Sequence, residues 1–453
     1  MTFPAKPPKP VSISDFHFPS GKSCVLSNGI KLIVVEDTSL PIVGIKIGIL
    51  CGLTEDEYIK PGITEITAEM LRKGTKSRSA KQIAEEIDFL GTEIDIYGGK
   101  DNYMLSVSVL SEFIEQALDL CADMIMNPTF PDEELVKVIG LELASLPNKR
   151  TQPPYQAQKV YSRILYGNHP YGTYDTDEET LQGIQPDNLI SFHKKHFSPS
   201  QTYLVLVGDI TAEKAKQIVE KKFGSWENTT KKSEFNPELP KTTKRRVCIV
   251  ENANAVQSNI FIGSLSIPYN HPDYIRLLVT NQILGGSFAS RLFMNLREQK
   301  SFTYGAYSRL NTRVKAGSLI AYAAVRNEVT GDAINEFLYE FRRIHEESVN
   351  EDELNSAKSY ISGSFPIKLE QPVGVAEHIM VQQVHGLSAD YWDKFRDDIK
   401  EVTPMQVMET AKKYIQPDDS MICVVGKSAE LIPALSKYGT PELYDKTGRK
   451  IPN

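Results

Sequence analysis

The sequence predicts an α+β fold made of two tandem homologous domains, each a mostly antiparallel sheet covered by helices, joined by a polar linker. Three observations lead to this prediction. The chain has 453 residues, about three times the common size of one domain. It contains an internal repeat. Each half begins with strand-rich sequence and continues with long helical patterns, the order expected when helices cover a sheet.

The repeat relates two segments, Pro186–Gly208 and Pro404–Gly426, which align without a gap at a constant offset of 218 residues. Both copies contain an initial proline, a Lys-Lys pair, a central proline and a final Val-Gly. Each therefore reads as a helix, a turn that contains proline, and an apolar strand that ends in glycine. A repeat of this kind indicates a duplication, so we expect two halves of like fold.

The elements within each half follow the same order. The strand-rich regions are Gly29–Gly52 and Arg246–Ser266. Apolar residues at helical spacing then predict long helices. In the first half these are Thr75–Leu90, Glu112–Met126 and Glu133–Leu146, and in the second half Asp273–Leu284, Ala333–Ser348 and Glu351–Ser364.

The join between the halves is a change in composition. Trp226–Arg246 is polar, contains two prolines and has no apolar period, which is typical of a surface linker. We therefore assign residues 1–228 to the first domain, 229–244 to the linker and 245–453 to the second domain.

Composition excludes several classes of protein. With 51 Lys and Arg against 58 Asp and Glu, the chain lacks the basic balance of a nucleic-acid-binding protein. Its five cysteines are far apart and form no CxxC pair, which predicts buried free thiols. We see no apolar stretch of about 18 residues and no signal-peptide core. We expect a soluble protein without a membrane span, cytoplasmic as the chain stands or periplasmic if a signal segment was trimmed.

Several motifs are shared with one known family. Gly62–Thr75 reads GITEITAEMLRKGT, His169–Gly172 reads HPYG, Phe223–Trp226 reads FGSW, and Ile283–Ser308 contains GGSFAS and LREQKSFTY. These segments resemble the pitrilysin/insulinase family of zinc peptidases, the inverzincins, and most closely its two-domain branch that includes mitochondrial processing peptidase. The resemblance extends from about Leu26 to Gly426 and implies peptide hydrolysis inside a chamber.

The helix that carries zinc in this family departs from the family pattern here. Aligned on Met70 and Leu71, Glu65 and Glu69 occupy the positions of the two histidines, and Ala68 occupies that of the general-base glutamate. Zinc prefers imidazole or thiolate ligands, and a base must activate its bound water. We therefore expect no metal in this chain and expect zinc in a homologous partner subunit.

The third zinc ligand of the family is a glutamate on the helix that corresponds to Ile139–Leu146. Counting along the chain puts one of three residues there: Leu143, Ala144 or Ser145. We expect the neighbouring Glu142 to face another way. Glu65 and Glu69 lie on one helical face, but two carboxylates rarely suffice for a hard cation. An enzyme with a different metal at this pair is the least favoured interpretation.

Two other motifs are interpreted as structural. His193 and His196 correspond in the repeat to Ala411 and Tyr414, which predicts the packing face of a helix rather than a metal site. The Gly-rich segment Gly285–Ser290 follows a predicted helix rather than a strand, so a phosphate cradle is not favoured. The resemblance implies that this segment borders the substrate chamber.

Arg297 and Tyr304 are the candidate catalytic residues. They are seven residues apart in LREQKSFTY, the spacing of the Arg/Tyr pair in the family, whose members direct both side chains at the scissile carbonyl. A guanidinium and a phenol can both donate hydrogen bonds to a developing oxyanion. Spacing alone would favour a surface arginine beside Glu298 and a tyrosine packed near Tyr307, whereas the resemblance favours the catalytic interpretation.

The sequence thus retains substrate-side residues and lacks the metal-side residues. This combination predicts the non-metal-binding subunit of a heterodimeric zinc metallopeptidase, inactive alone, that closes the chamber around unfolded or presequence-like peptides. A homologous zinc-bearing partner subunit would supply His-x-x-Glu-His. The alternative is a catalytically inactive structural or peptide-binding scaffold of the same fold.

Limited proteolysis tests the domain assignment. Cleavage should occur first within Trp226–Arg246, because an exposed linker backbone without partners is most accessible to a protease. N-terminal sequencing of the first fragments will locate the cut. Early cleavage inside Pro186–Gly208 would contradict the duplication.

Overall fold

A computed structural model describes residues 16–55, 60–228, 237–240 and 244–452. They form two six-stranded sheets with helices packed on them. The strands are β1 (Lys22–Val25), β2 (Lys31–Glu36), β3 (Ile42–Ile49), β4 (Asp95–Gly98), β5 (Tyr103–Leu110), β6 (Thr202–Gly208), β7 (Val247–Glu251), β8 (Gln257–Ser266), β9 (Thr303–Thr312), β10 (Gly317–Arg326), β11 (Met421–Gly426) and β12 (Pro441–Tyr444).

The helices of the first half are α1 (Ile63–Met70), α2 (Ala80–Phe89), α3 (Ile114–Met126), α4 (Asp132–Thr151), α5 (Pro153–Tyr166), α6 (Glu178–Gln182), α7 (Pro186–His196) and α8 (Ala212–Phe223). Those of the second half are α9 (Tyr274–Gly285), α10 (Arg291–Phe293), α11 (Thr330–Glu346), α12 (Glu351–Ile367), α13 (Pro372–His385), α14 (Tyr391–Glu401), α15 (Pro404–Tyr414) and α16 (Ser428–Leu435). A π-helical segment, Met294–Gln299, directly continues α10.

The two sheets are alike except for one edge strand. The first has the order β1-β2-β6-β3-β5-β4 and the second the order β12-β7-β11-β8-β10-β9. In both, an inner pair is parallel (β2 with β6, β7 with β11), and the three pairs from there to the far edge are antiparallel. The other edge differs, because β1 pairs with β2 antiparallel whereas β12 pairs with β7 parallel. The predicted fold class, two α+β domains of like fold with mostly antiparallel sheets, is confirmed.

The repeat found in the sequence corresponds to equivalent elements. Helices α7 and α15 begin and end at positions related by the same offset, and each is followed by a central strand, β6 or β11. Both helices start with proline, where the missing N–H costs nothing because the first turn has no acceptor for it. Every residue of β6 and β11 is buried, as expected for strands covered on both faces.

Each half covers one face of the other half's sheet with a helix. Helix α5 packs on the second sheet, where Ala157 and Tyr161 contact Cys248 and Cys423. Helix α13 packs on the first sheet, in a cluster whose buried members are Val35, Tyr203, Val205, Val207, Val375, Ala376, Ile379 and Met380. The two helices are equivalent, since each begins with a Gln-Pro pair at its N-terminus.

Strand β3 contains small residues where α13 crosses it. A Cβ atom on Gly44 would lie 2.7 Å from the α13 backbone, and one on Gly48 would lie 2.5 Å from the Met380 sulfur. Between them, buried Lys46 forms an ion pair with Glu377 of α13. Glycine in a strand permits this close approach of a neighbouring element.

Some boundaries differ from the sequence predictions. Helix α2 begins at Ala80 rather than Thr75, because Ser79 caps the helix and the Thr75 hydroxyl donates a 2.6 Å hydrogen bond to Asp123. Helix α4 continues to Thr151, beyond the predicted end at Leu146. All five cysteines are free, and four of them are buried.

The predicted linker is only partly described. Residues 229–236 and 241–243 lie outside the described residues. Trp226 is packed in the first core, and Leu239 contacts the cluster around Tyr166. The domain boundaries themselves stay a prediction.

Substitution of Gly44 tests the packing of α13 on β3. Gly44→Val should lower the free energy of unfolding by about 1–3 kcal/mol, the usual cost of overpacking a tight contact, and urea denaturation will measure it. The control is Gly363→Ala, at an exposed position of α12 with no atom within 4 Å of the added Cβ. It should be neutral or stabilising by up to about 1 kcal/mol. Equal stability of the two variants would contradict the packing described here.

Candidate functional site

Two cavities adjoin each other, the first lined by the first half alone and the second by both halves. The first, of about 630 Å³, is lined by α1, β4, α4 and the segment that precedes α6; we call it the α1 cavity. The second, of about 1050 Å³, lies between α5 and strands β8, β9 and β10; we call it the tyrosine cavity. Tyr155, Thr173 and Tyr174 line both cavities, so the two form neighbouring compartments of one chamber.

Helix α1 directs its two glutamates into the α1 cavity. The helix starts after Gly62, whose φ of 88° is in the left-handed region that favours glycine. Its apolar residues, including Ile66 and Met70, are buried in the first core. The opposite face therefore presents Glu65 and Glu69, one turn apart, to the cavity.

Each of these carboxylates interacts with a cation of the same chain. The Lys100 ammonium lies 3.6 Å from Glu65. The Arg72 guanidinium donates to both carboxylate oxygens of Glu69, at 3.0 and 2.7 Å. The Thr64 hydroxyl adds a 2.7 Å hydrogen bond to Glu65.

Glu142 also lines the α1 cavity, so the expectation that it faces another way is wrong. The Lys149 ammonium donates a 2.7 Å hydrogen bond to its carboxylate. The hydroxyl of Ser145, one of the three counted ligand positions, lies 3.4 Å from the Glu142 carboxylate, so these two side chains share one side of α4. The rotation of α4 about its axis, set by packing, decides this orientation.

Lys100 is a site residue that sequence reasoning missed. Its side chain is only 12% exposed, and burial lowers its pKa while the nearby Glu65 carboxylate opposes that shift. Thr54 fixes the loop that carries Lys100, donating to its carbonyl from both the backbone N–H and the hydroxyl, at 3.0 and 2.9 Å. A single lysine in a Gly-Gly-Lys-Asp loop has no sequence signal that would mark it.

The residues around α1 do not fit a zinc ion. Zinc sites need imidazole, thiolate or carboxylate ligands that converge on one point, and here Glu65, Glu69 and Glu142 each have a separate cationic partner. Within the described ranges, no group of three His, Cys, Asp or Glu residues is arranged to hold a metal.

Arg297 and Tyr304 line neither cavity. Arg297 belongs to the π-helical segment, with its guanidinium 4.8 Å from the Phe293 ring centroid and 3.6 Å from Glu298. Tyr304 lies on the edge strand β9 and is 88% exposed. Both side chains are accessible from solvent, and their catalytic role stays a prediction.

His193 packs inside the first half, as interpreted from the repeat. Its Nε2 lies 2.7 Å from the Ile125 carbonyl oxygen, and its ring contacts Phe130 and Phe197. Burial lowers its pKa to about 4. His196 is likewise buried, so both residues contribute to packing.

The HPYG motif connects the two halves beside the tyrosine cavity. His169 Nδ1 accepts a hydrogen bond from the Tyr171 backbone N–H at 3.1 Å. The Tyr171 hydroxyl donates to Asp101 at 2.7 Å and accepts from the Lys315 backbone N–H at 3.2 Å. The Arg313 guanidinium lies 4.7 Å from the Tyr171 ring centroid. The motif therefore holds the β9–β10 hairpin against the first half.

Comparison with known families agrees with this architecture. The family described as Insulinase (Peptidase family M16) matches residues 31–169. The family described as Peptidase M16 inactive domain matches residues 183–361, and the two matches together cover most of the chain.

The chain belongs to the peptidase M16 family.

Relatives and solved structures support the family assignment. An uncharacterized zinc protease of Bacillus subtilis, YmxG, is 28% identical over 359 residues, covering 77% of this chain and 84% of the relative. One from Rickettsia felis is 27% identical over 356 residues, covering 78% and 85%. A Pseudomonas fluorescens structure described as a peptidase M16 inactive domain has a TM-score of 0.82 at 24% identity, covering 90% of this chain and 98% of its own.

A second structure, a protease from Helicobacter pylori, superposes with a TM-score of 0.84 at 18% identity and covers 90% of this chain and all of its own. These likenesses show the two-domain M16 fold. In the described part of this M16 chain, no helix has both the length and the apolar character needed to cross a membrane.

Elemental analysis tests the interpretation of the α1 cavity. The chain purified alone and dialysed should contain far less than one zinc per molecule, because each cavity glutamate is already paired with a cation. The positive control is the double variant Glu65→His, Glu69→His, which places two imidazoles one helical turn apart in the cavity that Glu142 also lines; these three ligands should gain zinc. About one zinc per wild-type chain would overturn the interpretation.

Proposed function

We propose that this M16 chain is the non-metal-binding subunit of a zinc peptidase assembled from two homologous chains. It closes the chamber, holds extended peptide, and donates Arg297 and Tyr304 to the scissile carbonyl at the partner subunit's metal. The observation that carries the proposal is a contrast. The glutamates of its own metal-site helix are engaged by internal cations, whereas Arg297 and Tyr304 are left accessible.

The ion pairs of the α1 cavity support the first part of the contrast. Arg72 donates to both carboxylate oxygens of Glu69, and Lys100 lies beside the Glu65 carboxylate, so both glutamates already have partners within the chain. Ala68 has no group that transfers a proton. The position that corresponds to the family's general base is therefore without one.

The exposure of the Arg/Tyr pair supports the second part. A group that stabilises an oxyanion on a substrate bound to another chain must be accessible across the interface. Tyr304 is 88% exposed, and Arg297 stands on a π-helical segment, a distortion found frequently at functional sites. The Glu298 carboxylate, 3.6 Å from Arg297, is the partner of the guanidinium in the free chain. A substrate carbonyl takes the place of this partner during the reaction.

The edges of the two sheets support peptide binding. Strand β4 is the edge of the first sheet and borders the α1 cavity, and β9 is the edge of the second sheet and borders the tyrosine cavity. An edge strand presents unpaired N–H and C=O groups. An extended peptide can pair with such an edge as an additional strand.

A peptide-binding scaffold without catalytic function is the second candidate. The observation in its favour is that Arg297 and Tyr304 line neither cavity. Activity of a reconstituted pair distinguishes the two candidates, because a scaffold would not raise the turnover of any zinc-bearing homologue.

Reconstitution provides the test of the proposed function. The chain alone should be inactive, and its mixture with a homologous zinc-bearing subunit should cleave peptides in a chelator-sensitive reaction. Tyr304→Phe should lower the turnover of the mixture by about 100–1000-fold, the usual cost of one oxyanion donor. Arg297→Ala should have a similar effect with some added loss of substrate binding.

Matched controls make the result specific. Tyr360→Phe alters another exposed tyrosine away from both cavities and should leave turnover unchanged. Glu65→Ala and Glu69→Ala should also change it little. Loss of activity in the glutamate variants with full activity in Tyr304→Phe would place the reaction on this chain's own helix. If no mixture cleaves peptides, the scaffold interpretation takes over.

A further inference from the structure

A row of aromatic rings crosses the sheet face inside the tyrosine cavity. Tyr322 on β10 is paired in register with Phe261 on β8 and with Tyr307 on β9. Its ring centroid lies 6.0 Å from each of them. The row continues 6.2 Å further to Phe288, which is 71% exposed. We call Phe261, Tyr322, Tyr307 and Phe288 the aromatic row; it leads from the cavity to solvent.

Neighbouring residues hold these rings in place. A Cβ atom on Gly305 would lie 2.6 Å from Cε2 of Tyr307. The Tyr307 ring therefore packs over this residue, and a side chain larger than that of glycine would displace the ring. From the first half, Tyr155 and Tyr174 also line the cavity, in an edge-to-face pair at 5.1 Å. The Tyr155 hydroxyl is fixed by a 2.7 Å hydrogen bond to Asp175. The cavity thus offers preorganised ring surfaces from both halves.

The charge of the tyrosine cavity differs from that of the α1 cavity. Of the described residues that line it, two are arginines, Arg309 and Arg313, and none is a carboxylate. The α1 cavity is lined by four carboxylates, Glu65, Glu69, Glu142 and Asp175, together with three lysines, Lys73, Lys100 and Lys149. A peptide in the chamber therefore meets positive charge in the larger compartment.

Arg309 is the available cation of the pair. Arg313 is stacked on Tyr171, whereas Arg309 is exposed on β9 and has only a long hydrogen bond of 3.3 Å to Gln158. No ion pair of Arg309 is present among the described residues. Its guanidinium lies 5.9 Å from the Tyr322 ring centroid, at the edge of the aromatic row. A guanidinium in this setting binds a carboxylate through two parallel hydrogen bonds.

We propose that the tyrosine cavity binds extended peptide segments that carry an acidic and an aromatic side chain two residues apart, the spacing that puts both on one face, and that it discriminates against basic, presequence-like segments. Arg309 binds the acidic side chain, and the aromatic row stacks against the aromatic one. This inference rests on the proposed function in that it specifies the peptides the chamber holds. The expected substrate is then an acidic peptide rather than the basic, presequence-like peptide that the sequence resemblance implied.

Isothermal titration calorimetry on the whole chain tests this proposal without a partner or cleavage. The probes are short acetylated, amidated peptides of Ser and Gly that carry Glu and Phe two residues apart, with matched peptides in which Glu is replaced by Gln or Lys, or Phe by Ala. The Glu/Phe peptide should bind at least about tenfold more tightly than the Gln and Lys peptides, the loss expected for a charge-assisted hydrogen bond. It should also bind about tenfold more tightly than the Ala peptide, because stacking is lost.

Variants assign the binding to the site. Arg309→Gln should weaken the Glu/Phe peptide by at least about tenfold and leave the Gln peptide unchanged, and Arg309→Lys should retain part of the preference. Arg342→Gln, at an exposed arginine of α11 outside both cavities, is the matched control and should bind like the wild type. Equal binding of the Glu and Lys peptides, tighter binding of the Lys peptide, no binding of any probe, or an unaffected Arg309→Gln variant would each overturn the proposal.

The outcome is separable from that of the proposed function. Selective binding of the Glu/Phe peptide without cleavage by any reconstituted mixture would support this inference and refute the peptidase subunit. Cleavage by a mixture that prefers basic peptides would support the peptidase subunit and refute this inference.

Discussion

The reciprocal packing of α5 and α13 is the constraint on which the rest of the structure depends. Each helix covers a sheet face of the other half, so neither sheet is buried on both faces by its own half alone. The glycines of β3 admit α13 at backbone contact distance, and buried Lys46 pairs with Glu377 across the same contact. Because α5 also begins at the chamber, where Tyr155 lines both cavities, this packing fixes the position of the compartments.

Electrostatics divides the chamber into two compartments. In the α1 cavity, carboxylates and cations are matched within the chain, because partly buried charges without partners would be costly. In the tyrosine cavity, Arg309 has no carboxylate partner among the described residues, so its charge is available to a ligand. The charges of the α1 cavity are thus paired within the chain, whereas the Arg309 guanidinium in the tyrosine cavity is left available to a ligand.

The candidate site could be anticipated from the sequence only in part. Glu65, Ala68 and Glu69 were found because Gly62–Thr75 resembles the metal-binding helix of the family, whose ligand positions keep a fixed helical spacing. Glu142 was assigned the wrong orientation because a small rotation of a long helix changes which residue faces a cavity. Lys100 could not be found at all, since a loop lysine becomes a counter-ion only through the folding of β4 and β5 around α1.

The sequence by itself determined the α+β class, the duplication and the loss of imidazole ligands from the metal-site helix. The class and the duplication follow from apolar periodicity and from the repeat at an offset of 218 residues, whereas the missing imidazoles follow from the resemblance of Gly62–Thr75 to the family's helix. Only the tertiary structure decided that α5 and α13 are exchanged between the halves and that Phe261, Tyr322 and Tyr307 align across three strands. Such contacts join residues far apart in the chain, and packing and strand register set them rather than any local pattern.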